Sequence, residues 1–146
     1  MDLRRRALAM GLWGALVITF QAAPDEADAQ VAKGKSRPAA TRFLMRGISQ
    51  AHCKSIADLL KDSGPGEDKA WETVACHASC LNELSFSLVQ DGRCPDATWA
   101  GAAKALGDGT ALVLGAAEKK DLEAARAAFK TVTDSCKSCH DAHRKK

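Results

Sequence analysis

The residues best equipped for chemistry lie six from the C-terminus, in Cys136-Lys137-Ser138-Cys139-His140. On a helix, residues three apart share a face, so Cys136 and Cys139 can reach one edge of the same planar group. A Cys-x-x-Cys-His run is the attachment signature of c-type haem. Two thiols add across two vinyl groups of one porphyrin, and the adjacent His140 offers a neutral imidazole as the fifth iron ligand. The expectation is one haem c per chain, held by Cys136 and Cys139 and ligated by His140. The same residues with His143 could instead bind zinc, act as a redox dithiol or form a structural disulfide. The sequence has no second Cys-x-x-Cys pair and no strand–turn–helix pattern of the thioredoxin kind.

The start of the chain points to export. Arg4, Arg5 and Arg6 precede an apolar run from Ala7 to Phe20, and Ala27-Asp28-Ala29 supplies a small-x-small cleavage site. This reads as a secretory signal peptide over residues 1–29, and the periplasm is the expected location. The run is shorter than the roughly 20 residues a spanning helix needs, so no membrane association is expected after cleavage. Removing residues 1–29 takes away three arginines and four acidic residues. The formal charge then moves from 21 − 18 = +3 to 18 − 14 = +4. That mild excess does not point to nucleic acid. Tyrosine is absent and alanine abundant, a composition for packed helices.

Residues 30–40 read as a loose N-terminal arm, and residues 41–146 as one all-α domain. Four amphipathic segments follow. The first begins near Thr41, carries Met45, Ile48, His52, Ile56 and Leu59 on one stripe, and stops at Ser63-Gly64-Pro65-Gly66. Asp68 caps the second, with Trp71, Val74, Ala78, Leu81 and Leu88 on its apolar face. Asp96 caps the third, where Gly107-Asp108-Gly109 predicts a kink or break. Asp121 caps the last. There Leu122, Ala125, Phe129, Val132, Cys136, Cys139 and His143 alternate by three and four. Short loops between these segments predict an antiparallel up-down-up-down four-helix bundle with the haem on the core side of its final helix.

Cys53, Cys76, Cys80 and Cys94 remain, an even number that suggests two disulfides in an exported chain. In a hairpin turning near Pro65, Cys53 and Cys76 lie opposite each other. The expected pairing is Cys53–Cys76 with Cys80–Cys94, and Cys53–Cys94 or Cys53–Cys80 stay open.

The motif, its C-terminal position and the helix count resemble the class II c-type cytochromes, which comprise cytochrome c-prime and its low-spin, methionine-ligated relatives. The matching residues are Phe129-x-x-Val132 and Cys136-x-x-Cys139-His140-Asp141-x-x-Arg144, with Arg42-x-x-Met45-x-x-Ile48 in the first helix. The resemblance implies Met45 as the distal iron ligand and Arg144 beside a propionate. The four extra cysteines depart from the family pattern. His52 and His77 are alternative ligands, and His143 is too close to His140 along one helix to reach the opposite face of the ring.

Two function classes follow. The first is an exported one-electron carrier with His140 and Met45 as axial ligands, serving a redox partner protein through an exposed haem edge. Arg144, Lys145, Lys146 and Lys137 would then form a basic docking patch. The second is a five-coordinate haem that binds nitric oxide or carbon monoxide. A non-haem zinc or disulfide-stabilised module is the remaining alternative. No acid–base or nucleophile constellation suggests an enzyme. Homodimerisation is open.

Overall fold

The computed structural model describes residues 32–144. The expected leader at 1–29, the first two residues of the arm, Lys145 and Lys146 lie outside the described residues. The described residues fold as four helices packed as a bundle. Helix α1 spans residues 41–59 in three pieces: an α-helical turn at Thr41–Leu44, a π-helical turn at Met45–Ser49, and an α-helix at Gln50–Leu59. Helices α2 (Asp68–Val89), α3 (Ala97–Glu118) and α4 (Leu122–His143) are unbroken and 22 residues each. No helix among the described residues is long and apolar enough to cross a membrane.

Capping fixes two of the helix starts. Asp96 accepts a hydrogen bond from Trp99 N at 2.8 Å, and Asp121 accepts one from Ala124 N at 3.0 Å. These side chains satisfy amides that the first helical turn leaves without partners. Asp68 is not a cap. It lies in the first turn of α2, where a carboxylate suits the positive end of the helix. Thr41 opens α1 from inside the helix, and its hydroxyl donates to Ala32 O at 3.2 Å.

The core fills the space between α2, α3 and α4. Val74, Ala78, Leu81, Val113, Ala125 and Val132 are fully buried, together with Ile56 from α1. The break foreseen at Gly107-Asp108-Gly109 does not form, and α3 is continuous through it. These glycines are close-approach points. A Cβ at Gly107 would lie 2.7 Å from Ser85 Oγ on α2, and one at Gly109 would lie 3.1 Å from Val132 Cγ2 on α4. Asn82 donates to Gly107 O at 2.9 Å and to Thr110 Oγ1 at 3.1 Å, which satisfies polar groups where α2 meets α3.

Residues 32–40 are pinned to the α2–α3 loop. Ser36 N and Arg37 N donate to the Asp91 carboxylate at 2.8 and 3.0 Å. These bonds hold its pKa down at about 2. The buried Arg93 donates to Ala39 O at 2.7 Å and to Arg37 O at 2.9 Å. At the other end of α1, Arg126 on α4 donates to Leu60 O at 2.9 Å and Asp62 O at 2.5 Å. Helix α1 is thus tied at both ends.

Candidate functional site

Between its ties, α1 stands off from α4 and leaves a cleft of about 570 Å³. That size is in the range of sites for organic cofactors, about 300–1,000 Å³. Met45, Ser49 and Cys53 line it from α1, Trp99 from α3, and Cys136, Cys139, His140 and His143 from α4. The structure therefore brings Met45 to the same cavity as the Cys-x-x-Cys-His run, although they are far apart in sequence.

The π turn falls on Met45–Ser49. A π-helical turn takes up an extra residue and shifts the facing side chains, and such turns are frequent at functional sites. Gly47 sits at its centre, with open space where a Cβ would be. Met45 is half-buried and packs against the edge of the core.

On α4, burial runs through Ala125, Ala128, Val132, Ser135 and His143. Cys136 and Cys139 are half-buried at the side of that stripe, so they face the cleft and not the centre of the core. The Cys53 and Cys136 thiols share a hydrogen bond. It raises the Cys53 pKa, helped by burial, and it lowers that of Cys136 to about 7. Burial, followed by the nearby charges of Cys136, Asp96 and Cys94, raises Cys139 to about 11. Burial, reinforced by the Arg144 guanidinium, lowers the His140 pKa, which favours the neutral ring that can ligate a metal.

His143 is buried against Trp99 in a T-shaped contact, with ring centroids 5.3 Å apart and its Nε2 3.4 Å from Asp96 Oδ1. Trp99 is itself fixed by donating Nε1–H to Leu88 O at 2.8 Å. This pair forms the floor of the cleft. His52 and His77, considered as alternative ligands, do not line the cleft and meet each other between α1 and α2.

Arg42, Arg46 and Arg144 surround the mouth. Among the described residues none of the three has a carboxylate partner, although Arg42 stacks over the Phe43 ring at 4.9 Å. Sequence reasoning identified Arg144 and missed Arg46. The available signal was its spacing: Arg42 and Arg46 are four apart and flank Met45. Lys137, expected in a docking patch, is instead engaged by Asp141 one turn on.

All six cysteines are free thiols in the structure. Cys53 turns into the cleft, and Cys76 is exposed on α2. Cys80 is also exposed, while Cys94 donates its S–H to Asp96 O at 3.3 Å. The hairpin register is the expected one, but rotation of the helices makes His52–His77 the facing pair in place of Cys53–Cys76.

These residues fit a covalently attached haem. Two thiols three apart and an imidazole open on one side of an apolar cleft, a thioether stands on its other wall, and Arg42, Arg46 and Arg144 ring its mouth where two propionates would need charge.

Residues 95–144 match the family model described as Cytochrome C'. The matched stretch takes in α3, α4 and the whole haem-attachment run. Neither the comparison with curated proteins nor that with solved structures finds a match. The Cytochrome C' match, read with the four-helix fold, supports placing the chain among the class II c-type cytochromes, the cytochrome c-prime family, which carry one covalently attached haem c per chain.

Proposed function

We propose that the chain is an exported one-electron carrier of the periplasm, with Cys136 and Cys139 attaching the haem, His140 as proximal ligand and Met45 as distal ligand. The observation that carries this reading is that Met45, at the start of the π turn, lines the same cleft as His140. When bound, haem supplies reversible iron oxidation, and a thioether ligand raises its potential. The protein's own residues do the rest. Trp99 and His143 exclude water from the floor of the cleft. Arg42, Arg46 and Arg144 offer charge to the propionates and leave a cationic rim for a redox partner protein with an acidic surface. The reading is of a carrier and not of an enzyme.

A second reading has its own support. A small void of about 30 Å³ adjoins the cleft, lined by Met45, Leu88, Trp99, Ala102, Ala103 and Leu106 among others. Its lining is mostly apolar, with Ser49, Ser135 and His140 also on it, and it exceeds the roughly 10–15 Å³ that one water-sized molecule requires. It could receive nitric oxide or carbon monoxide if Met45 stays off the iron.

Visible absorption of the purified protein, oxidised and reduced, decides between them. A low-spin reduced spectrum indifferent to carbon monoxide supports the carrier, and Met45→Ala should then become high-spin and responsive to carbon monoxide. A wild-type spectrum that is already high-spin and shifts with carbon monoxide overturns Met45 ligation and leaves the gas-binding reading.

A further inference from the structure

Away from the cleft, the fold brings together one more pair of metal-ligating side chains. His52 on α1 and His77 on α2 meet with their Nδ1 atoms 2.7 Å apart, ring centroids 5.0 Å apart and ring planes at 52°. Both are half-buried between the helices. At that distance one Nδ1–H donates and the other Nδ1 accepts, so the contact requires at least one neutral ring. Burial and the neighbouring His52 lower the His77 pKa, which favours the neutral form. A bound cation can take the place of the shared hydrogen.

The movement that binding requires differs between cations. Two imidazole nitrogens, each about 2.0–2.1 Å from a metal, lie about 2.9 Å apart at a right angle and about 3.3–3.4 Å apart at the tetrahedral angle. The observed 2.7 Å is a hydrogen-bond separation, so an ion replacing the proton must spread the two nitrogens, least for a right-angle pair and more for a tetrahedral one. Right-angle nitrogen pairs belong to square-planar or octahedral ions, Cu²⁺ and Ni²⁺ foremost, whereas Zn²⁺ prefers the tetrahedron.

We propose that His52 and His77 form a two-histidine site for one Cu²⁺ or Ni²⁺ ion, bound through both Nδ1 atoms with water in the remaining positions. Binding needs a small turn of each ring and a proton on each Nε2. Among the described residues no group of three or more His, Cys, Asp or Glu is placed to hold a metal ion, so the pair is a clamp and not a closed cage. The clamp joins α1 to α2 in the middle of α1, between the two tied ends. It is separate from the cleft.

The test uses the purified ferric protein, wild type and with His52→Ala, His77→Ala or the double change Cys76→Ser/Cys80→Ser. Calorimetric titration with Ni²⁺ follows binding without redox chemistry. Electron paramagnetic resonance with Cu²⁺ counts nitrogen ligands. The expected result is one ion per chain and hyperfine splitting from two nitrogens. Binding should fall at least tenfold in either histidine variant and be retained in the double serine variant. Each variant's haem absorbance and helical circular dichroism should match wild type, which separates loss of the site from misfolding. If a histidine variant misfolds, the wild-type copper spectrum alone decides. A spectrum without nitrogen splitting, binding that survives both histidine changes, or binding lost only with the cysteines overturns the proposal. The histidines are then a hydrogen-bonded packing pair only.

Discussion

The bundle divides into a scaffold of α2, α3 and α4 and a single wall, α1. The scaffold helices are unbroken, 22 residues each, and contribute every fully buried apolar side chain but Ile56. Helix α1 contains a π turn, packs on α2, and lines the cleft with Met45, Ser49 and Cys53. The two regions share a sequence style and differ in what they pack against. The scaffold packs against itself. Helix α1 has its inner face turned to a cavity that fits a cofactor, so ligand-directed residues gather there at the expense of burial.

This contrast can be broken first by cavity creation. Leu81→Ala, in the scaffold, should cost about 2–5 kcal/mol of stability in urea unfolding. Ile56→Ala should fall at the lower end of that range, because α1 can settle into the space. An equal loss at the two sites would show that α1 is as rigidly packed as the scaffold. The glycines sharpen the comparison further. Gly109→Ala forces a methyl group to within 3.1 Å of Val132 Cγ2 and 3.3 Å of its backbone nitrogen. It should cost about 1–3 kcal/mol by overpacking. Gly47→Ala meets open space and should stabilise by up to about 1 kcal/mol through reduced chain entropy, seen as a small rise in melting temperature. The smallest effect concerns the tie at the start of α1. The Asp91 carboxyl is held at about 2 against an ordinary 3.8. A depressed folded pKa stabilises above the unfolded value, and that stabilisation is lost as pH falls from about 4 toward about 2. Asp91→Asn should therefore lower stability at neutral pH and flatten the acid limb of the stability profile. An unchanged acid limb would mean that the arm contributes nothing to holding α1.

Much of this was legible in the sequence because it depends on local chemistry. Asp96 and Asp121 cap helices as expected, and the apolar periods place most of the scaffold core. The hairpin register could also be read, since the Gly64-Pro65 turn sets it. What could not be read was rotation about the helix axis. Register alone does not say whether Cys53 or His52 faces α2, and a π turn, which inserts one residue into the period, alters that rotation without leaving a compositional mark. Gly107 and Gly109 misled for a related reason. A glycine that weakens a lone helix is also one that lets a neighbour approach, and only the neighbour distinguishes the two. The cleft residues divide the same way. Cys136, Cys139, His140, Met45 and Arg144 follow from motif and resemblance, whereas Arg46 and the Trp99–His143 floor depend on how distant segments meet.

Because α1 is anchored at its two ends and borders the cleft between them, swinging it outward breaks no contact among α2, α3 and α4. Its opening is a sub-global event, cheaper than unfolding the chain. Backbone amides of residues 50–59 should therefore exchange with solvent deuterium well before those of α3. A group seated in the cleft closes that gap by the free energy with which it holds α1, so the difference in exchange between the two helices measures how firmly the protein grips what it carries.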